Sequence, residues 1–263
     1  MIQARVIPCL TLEGTGLVKT VQFKDPKYLG DPRNAVRIFN DKEVDELVLL
    51  DIRATAEGTP IQYDLIQEIV SEAFMPVAYG GGIQTVDQAK RIVHSGVEKA
   101  ILSTAAFQSP DLIRACSDQI GASSTVVCLD VKRSILGKYE VYTRSGKHGT
   151  KMSPVQAAEY AQKHGAGELV IHSIDRDGTM KGFDLPLLKS VNDAVDIPIV
   201  ACGGAGTLDH LREAIQGTQV SAVAAGSMFV FHGKLRAVLI NYPSPNEVES
   251  VIGRRDAALE TSK

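Results

Sequence analysis

Short apolar runs alternate with amphipathic stretches along the chain. The runs are rich in Val, Ile, Leu and Ala and lack strict polar alternation, which is typical of parallel strands buried on both faces. They predict eight strands, over residues 5–11, 46–52, 76–80, 99–103, 125–131, 168–173, 198–203 and 221–226. The stretches between them predict helices, for example over 85–94, 153–164 and 207–216, and each of these opens on a Ser or Thr suited to capping.

Eight alternating β and α units in 263 residues predict an α/β fold, a single closed (β/α)8 TIM barrel rather than an open sheet. We expect the barrel to occupy residues 1–253 and a polar C-terminal tail to occupy 254–263. Two long connections, over residues 19–31 and 132–149, are predicted as loops on the catalytic side. Either of them could act as a mobile lid.

An internal repeat supports closure of the barrel. At a spacing of 122 residues the two halves match in a Glu, a Pro, a Gly-Gly pair and a Thr-x-Asp motif: Glu46 and Glu168, Pro76 and Pro198, Gly81-Gly82 and Gly203-Gly204, Thr85-x-Asp87 and Thr207-x-Asp209. At a spacing of 119, Cys9-Leu10 matches Cys128-Leu129. Units 1–4 therefore resemble units 5–8, which predicts a two-fold pseudo-symmetric barrel.

Composition narrows the range of partners. A net charge of -3 gives no electrostatic reason to expect nucleic acid or a membrane surface as a partner. No apolar run reaches the length of a membrane span, and the first residues read as a strand rather than a signal peptide, so we expect a cytoplasmic protein. The four cysteines form no Cys-x-x-Cys pair and are interpreted as buried reduced thiols. We expect no metal or other cofactor.

Glycine-rich turns after several strands predict anion sites, because glycine lets the backbone approach a ligand and a helix N-terminus offers free N–H groups. The loops after strands 7 and 8 predict one phosphate site, and the repeat predicts a second across the barrel. The residues are Gly203, Gly204, Gly226 and Ser227 for the first site, and Gly81, Gly82, Ser103 and Thr104 for the second. The alternative is that these glycines only form tight turns.

Carboxylates at the C-terminal ends of barrel strands are candidates for catalysis or substrate binding. Asp130 ends strand 5, Asp51 ends strand 2, and Asp175 and Asp177 follow strand 6. The alternative role for each is helix capping or pairing with a basic side chain. Thr11 is the repeat mate of Asp130, and a hydroxyl cannot exchange a proton near neutral pH as a tuned carboxylate can. If the site once used a paired acid and base, one member is missing.

Charged residues lie where four strands begin, on the opposite face of the barrel. They are Arg5, Glu46, Lys99 and Glu168. Two positive and two negative side chains could form a closed ring of ion pairs on the barrel floor, a gate for a small neutral molecule. The alternative is a set of surface ion pairs of little energetic weight.

The chain resembles the cyclase subunit of imidazole glycerol phosphate synthase over roughly residues 1–231. The matching motifs are Arg-Val-Ile-Pro-Cys-Leu at 5–10, Glu-Leu-Val-Leu-Leu-Asp-Ile at 46–52, Gly-Gly-Gly-Ile at 80–83, Leu-Asp-Val-Lys-Arg at 129–133, Ser-Ile-Asp-Arg-Asp-Gly-Thr at 173–179 and Cys-Gly-Gly-Ala-Gly at 202–206. The resemblance implies a phosphorylated small-molecule substrate with two terminal phosphates. It also implies a separate glutaminase subunit, forming a heterodimer, whose ammonia passes through a gate on Arg5, Glu46, Lys99 and Glu168.

The reaction chamber departs from the family pattern. The family's two catalytic aspartates fall on positions 11 and 130, and only Asp130 is retained; Arg53, Ser103 and His172 replace a Thr, an Asn and a Thr. Arg53 and His172 would line an altered pocket, and the whole pattern resembles a divergent branch associated with bacterial surface sugars. That branch implies ammonia supply to a third protein, an amidotransferase acting on an N-acetyl sugar. The alternatives are a working histidine-pathway cyclase and a non-catalytic phosphate-binding scaffold that activates the glutaminase.

Overall fold

The computed structural model describes residues 4–109, 111–233 and 235–252. The predicted tail over 254–263 lies outside these ranges. The strands are β1 (Arg5–Glu13), β2 (Gly16–Val21), β3 (Lys24–Gly30), β4 (Leu47–Asp51), β5 (Val77–Gly80), β6 (Lys99–Leu102), β7 (Thr125–Arg133), β8 (Tyr139–Thr143), β9 (His148–Gly149), β10 (Glu168–Ser173), β11 (Ile199–Cys202), β12 (Ala222–Ala225), β13 (Phe231–His232) and β14 (Ala237–Val238).

The helices separate the strands of the barrel, as the alternating pattern predicts. They are α1 (Pro32–Asp41), α2 (Ala54–Glu57), α3 (Tyr63–Glu72), α4 (Val86–His94), α5 (Thr104–Gln108), α6 (Asp111–Ile120), α7 (Pro154–Lys163), α8 (Leu185–Asn192), α9 (Leu208–Thr218), α10 (Ser227–Val230) and α11 (Pro245–Ile252), with a short 3-10 turn over Ala122–Ser124. Thr85 and Ser153 each form a reciprocal capping box with a Gln three residues on, and Thr207 caps α9 through the amide of His210. The capping role predicted for these three residues is confirmed.

Eight parallel strands close into a (β/α)8 barrel, in the order β1, β4, β5, β6, β7, β10, β11 and β12. The barrel closes because β10 pairs with both β7 and β11, and β1 pairs with both β12 and β4. The predicted TIM barrel is confirmed. The glycine pairs of the repeat, 81–82 and 203–204, all adopt positive φ angles, between 74° and 123°, as a two-fold repeat requires.

Inward-pointing and outward-pointing side chains alternate along the strands and form two apolar layers. The inner layer includes Ile7, Val48, Ile101 and Val126 together with three cysteine thiols, those of Cys9, Cys128 and Cys202. The larger outer layer packs between the strands and the helices. Burial on both faces explains why the barrel strands carry continuous apolar runs.

The two connections predicted as loops are β-hairpins instead. Residues 16–30 form β2 and β3, and β2 pairs antiparallel with β1. Residues 132–149 contain the end of β7 together with β8 and β9, which extend the sheet antiparallel. Their backbone amides are therefore held in ladders, so the prediction that these segments are loops is wrong, whereas their role as mobile lids stays a prediction.

The C-terminal part of the described chain is anchored under the barrel. The Tyr242 phenol donates a hydrogen bond to the carbonyl of Val6, 2.9 Å away, and its ring packs on Phe229 with centroids 5.2 Å apart. Both partners of this hydrogen bond are buried, so the bond ties the segment between β14 and α11 to β1. Within the described ranges, no helix is long and apolar enough to cross a membrane.

Candidate functional site at the mouth of the barrel

A cavity of about 290 Å³ opens at the C-terminal ends of the barrel strands. Its lining includes the predicted catalytic and pocket residues Thr11, Asp130, Asp177, Arg53 and His172, and the predicted anion-site residues Gly81, Ser103 and Thr104. A smaller cavity of about 20 Å³ adjoins it and is lined by the other predicted anion-site residues, Gly203, Gly204, Gly226 and Ser227. The structure thus brings both sets of predicted residues to one face of the barrel.

Asp130 and His172 lie side by side, because their positions are paired in register between β7 and β10. His172 Nδ1 is 3.6 Å from Asp130 Oδ1, and the Cys128 thiol donates to the same oxygen at 3.7 Å. Burial raises the pKa of Asp130 to about 6, against the opposing effect of His172. Burial opposes protonation of His172, but Asp177 and Asp130 outweigh it, so the pKa of His172 is raised.

Asp177 is held by a lysine that the sequence reasoning missed. Lys19 Nζ lies 2.8 Å from Asp177 Oδ1, and the Thr20 hydroxyl donates to Oδ2 at 3.2 Å. Both charged side chains are only 6% exposed. Burial alone would raise the pKa of Asp177, but Lys19 and His172 hold it well below its usual range. The sequence feature that could have identified Lys19 is its position inside a short, largely apolar run from Leu17 to Val21, where a charged side chain needs a partner.

The Thr11 hydroxyl is used inside the protein. It donates to the main-chain carbonyl of Val18 across the β1–β2 hairpin, and Thr11 is 5% exposed. Asp177 lines the same cavity but stays ionised because of Lys19, so it cannot act as the missing acid near neutral pH. Asp51 also lines the cavity, but its carboxylate accepts hydrogen bonds from the amides of Arg53 and Ala54, so no carboxylate stands at position 11 itself.

Arg53 lines the cavity at its rim, where its side chain is partly exposed. Its guanidinium pairs with Glu13 and Glu57, and its side chain is 41% exposed. Asp51 accepts from the amides of Arg53 and Ala54, each at 2.9 Å, which is the capping alternative. Burial, its largest influence, raises the pKa of Asp51 despite these hydrogen bonds.

Asp175, the other aspartate that follows β10 in the sequence, also forms hydrogen bonds within the protein. Asp175 accepts from the amide of Arg133 at 2.7 Å, and its main-chain carbonyl accepts from the Gln22 side chain at 2.9 Å. These bonds link the loop after β10 to β7 and to the β2–β3 hairpin. Asp175 therefore has a structural role here.

At both predicted phosphate sites, some of the polar groups already form hydrogen bonds within the protein. The Gly82 amide donates to the Thr55 hydroxyl at 3.1 Å, and the Thr104 hydroxyl accepts from the Arg144 amide at 2.9 Å. At the other site the Ser227 hydroxyl accepts from Arg236 at 3.4 Å. A Cβ at Gly204 would lie 2.2 Å from the carbonyl oxygen of Gly182, so this turn packs too closely for any side chain.

The four charged residues at the strand starts form a closed ring on the barrel floor. Arg5 pairs with Glu46 and Glu168, and Lys99 Nζ reaches the same two carboxylates at 3.0 and 2.9 Å. Glu46 and Glu168 are 4% and 6% exposed, so these are not loose surface pairs. Burial lowers the pKa of Arg5, but the two carboxylates outweigh it and the net shift is upward. The arrangement predicted from sequence is present.

One group of side chains at the mouth can hold a metal ion. Donor atoms of Cys128, Asp130 and His172 lie within 4.8 Å of one another, and all three residues lie deep in the mouth. Sulfur, nitrogen and oxygen donors in one cluster suit a transition metal better than Mg²⁺ or Ca²⁺. His172 is more than forty residues from Cys128 and Asp130 in the sequence. The cluster could therefore not be predicted without knowing that β7 pairs with β10.

Comparison with known proteins gives one family and many relatives. The family model described as "Histidine biosynthesis protein" matches residues 5–236. A Pseudomonas aeruginosa protein, provisionally named imidazole glycerol phosphate synthase subunit hisF2, is 49% identical over 95% of this chain and 99% of its own length. A Vibrio vulnificus protein, provisionally named subunit hisF3, is 47% identical over 96% and 97%. The imidazole glycerol phosphate synthase subunit HisF of Alkaliphilus metalliredigens is 40% identical over 88% and 92%.

Proposed function

Because the chain belongs to the histidine biosynthesis protein family, we propose that it is the ammonia-using, HisF-like barrel subunit of a glutamine amidotransferase. It takes ammonia from a separate glutaminase subunit docked on the barrel floor and delivers it to an acceptor in the cavity at the mouth. The acceptor we propose is an N-acetyl sugar of surface polysaccharide biosynthesis, handled together with a third protein.

The buried ring on the floor is the observation that carries this proposal. Arg5, Glu46, Lys99 and Glu168 neutralise one another, so the ring excludes ions from the barrel without adding net charge. Above it lie the apolar side chains and thiols of the inner layer. Such an interior favours neutral ammonia over ammonium, because an unpaired cation is costly to bury.

The altered chamber supports an acceptor other than the histidine-pathway intermediate. Ring closure in the family uses a pair of carboxylates, and the Thr11 hydroxyl that replaces one of them is already bonded to Val18. General acid–base catalysis contributes about 10²–10⁴-fold to a rate. We therefore expect ring closure by this chain to be slower than in a two-aspartate relative by about that factor.

The second candidate is a working histidine-pathway cyclase. It is favoured by Asp130, which lines the cavity, and by the likeness to the Alkaliphilus HisF over nearly all of that protein's length. This reading shares the glutaminase partner and the phosphorylated substrate and differs only in the reaction at the mouth.

Complementation separates the two candidates. The gene is placed in a bacterium that lacks its own cyclase subunit but keeps the glutaminase, and growth without histidine is scored. We expect no growth, and we expect the Alkaliphilus HisF to restore it as the positive control. In parallel, imidazole glycerol phosphate formation is measured with the purified protein and an ammonium salt. Growth, or turnover close to that of the control protein, would establish the cyclase and exclude the sugar proposal.

Deletion of the gene in its own host tests whether the protein is needed for sugar amidation rather than for histidine synthesis. We expect the deletion strain to grow without histidine and to lose amidated N-acetyl sugars from its surface polysaccharide, measured by mass spectrometry of the released sugars. A histidine requirement with unchanged surface sugars would contradict it.

A further inference from the structure

Three donors of different chemistry converge at the inner end of the mouth. Cys128 and Asp130 are two residues apart on β7 and face the same side of the strand, and His172 is the register partner of Asp130 on β10. Asp130 Oδ1 is 3.7 Å from Cys128 Sγ and 3.6 Å from His172 Nδ1. All three residues line the main cavity.

These separations are close to those of a tetrahedral metal site. Zinc binds sulfur at about 2.3 Å and nitrogen or oxygen at about 2.0–2.1 Å, which places neighbouring ligand atoms roughly 3.3–3.5 Å apart. Two of the three donor pairs are within a few tenths of an ångström of that spacing. We propose that Cys128, Asp130 and His172 bind one Zn²⁺ ion, with the fourth position open to the cavity.

The second nitrogen of His172 supplies an independent argument. His172 is 5% exposed, and among the described residues its Nε2 forms no hydrogen bond of normal geometry, although a carboxylate lies close to it. Nε2 lies 3.4 Å from Asp177 Oδ1, and Lys19 fixes that carboxylate at 2.8 Å. Coordination through Nδ1 keeps the proton on Nε2, facing Asp177. A carboxylate behind a histidine ligand is the usual means by which proteins orient such a ligand.

Charge balance at the site favours a divalent cation. Burial raises the pKa of the Cys128 thiol, and Asp177 and Asp130 raise the pKa of His172 against the effect of burial, so Zn²⁺ would displace protons from both side chains as it binds. The resulting thiolate and the Asp130 carboxylate together neutralise the ion, while Asp177 is paired with Lys19. Among the described residues, the cluster of donor atoms includes neither Cys9 nor Cys202, although both thiols are buried in the same inner layer.

The donor set also selects among metals. Mg²⁺ and Ca²⁺ prefer six or more oxygen ligands, which this cluster cannot provide. Three protein ligands with an open fourth position are typical of catalytic zinc sites, whereas structural sites use four. The open position faces the space where an acceptor would bind, so we expect a catalytic rather than a structural metal site.

Metal binding is tested on the full-length chain, purified without a metal-affinity tag and stripped with a chelator. Zn²⁺ is titrated against a chromophoric chelator, and Co²⁺ is used as a spectroscopic probe. We expect one Zn²⁺ per chain with sub-micromolar affinity, a thiolate-to-cobalt charge-transfer band, and a rise in the thermal unfolding midpoint with Zn²⁺. The readouts need no acceptor, so they stand whether or not the proposed reaction is right.

Matched variants locate the site. Cys128→Ser should abolish the charge-transfer band, and both it and His172→Gln should weaken Zn²⁺ binding by more than about 100-fold, beyond the loss typical of outer-shell changes. Cys116→Ser removes a buried thiol from α6 and should keep full binding. If Cys128→Ser does not fold, the wild-type cobalt spectrum decides alone. A wild-type protein without the thiolate band, or variants with unchanged affinity, would overturn the proposal.

Discussion

Lys19 and Asp177 are 158 residues apart in the chain, yet Nζ of the lysine lies 2.8 Å from the aspartate Oδ1 in a pair that is almost fully buried. The contact joins the β2–β3 hairpin to the loop after β10 and fixes the polar side of the mouth. It is also a point where a single substitution leaves a buried charge without its partner.

Lys19→Met should destabilise the protein by about 3–5 kcal/mol, because it leaves the Asp177 carboxylate buried and unpaired. The double variant with Asp177→Asn should recover much of that loss. Urea unfolding measures both. The exposed i,i+4 pair of Lys189 and Asp193 is the control, and Lys189→Met should change stability by less than about 1 kcal/mol. Equal effects at the two pairs would contradict the buried-pair assignment.

Assayed on the chelator-treated, metal-free chain so that Asp130 is free to exchange a proton, Thr11→Asp should restore ammonia-dependent imidazole glycerol phosphate formation, by about 10²-fold or more over the wild-type chain. The same change loses the hydrogen bond to Val18 and sets a carboxylate against its carbonyl, so we also expect a loss of stability of about 1–2 kcal/mol. Thr11→Val, which loses the hydroxyl without adding an acid, is the control and should stay inactive. A revertant no faster than Thr11→Val would show that the missing carboxylate is not what limits the reaction.

In the Thr11→Asp background, Lys99→Met should impair the glutamine-dependent reaction more than the reaction with free ammonia. Lys99 holds both Glu46 and Glu168 in the floor ring, and its loss leaves two buried carboxylates with Arg5 alone. The measurement is product formed per glutamine hydrolysed in the complex with the glutaminase, against product formed with an ammonium salt. Equal losses in both assays would show that the ring does not control ammonia transfer.

Gly204→Ala and Gly217→Ala should change stability in opposite directions. Gly204 has φ +114° and touches the Gly182 carbonyl, so a methyl group forces the turn apart and should weaken phosphate binding there as well. Gly217 lies in α9 with open space around it, so alanine should stabilise by about 0.5–1 kcal/mol. Thermal unfolding and phosphate titration measure the two effects. Unchanged phosphate binding in Gly204→Ala would remove this turn from the anion site.

Tyr242→Phe should cost about 1–2 kcal/mol, because the Val6 carbonyl is left buried without its donor. Tyr28→Phe is the control, since Tyr28 is 67% exposed, and it should change stability little. Urea unfolding of both variants compares the two phenols directly. No difference between them would show that the anchoring bond contributes nothing to the fold.

The barrel could be predicted from sequence because its strands are buried on both faces and therefore read as unbroken apolar runs. The hairpin strand β3 could not, because Lys24–Gly30 is largely exposed and contains a proline, which removes both the apolar pattern and the usual strand composition. β8 has the composition of a strand, Tyr-Glu-Val-Tyr-Thr, but it is only five residues long and lies between a polar turn and the exposed β9.

Residues of the candidate site could be predicted from sequence where their position at the end of a single strand is enough to identify them. Asp130 and Thr11 follow from strand ends and from the repeat alone. The neighbours of His172 do not, because its contact with Asp130 depends on the pairing of β7 with β10, and its contact with Asp177 depends on a lysine from β2. A lysine inside a short strand has the same appearance in sequence whether its partner is water or a distant carboxylate.

The hairpin of β2 and β3 has a consequence for ligand exchange. Lys19 and Thr20 stand on a strand hydrogen-bonded to β1, and the Gln22 amide is tied to the Asp177 carbonyl at 2.9 Å. The polar wall is thus set before any ligand arrives, which lowers the ordering entropy that association requires. At the hairpin tip Gln22 and Phe23 have positive φ angles, and Phe23, which lines the main cavity, packs edge-on against His172. We therefore expect the residence time of a bound molecule to depend on this contact between Phe23 and His172.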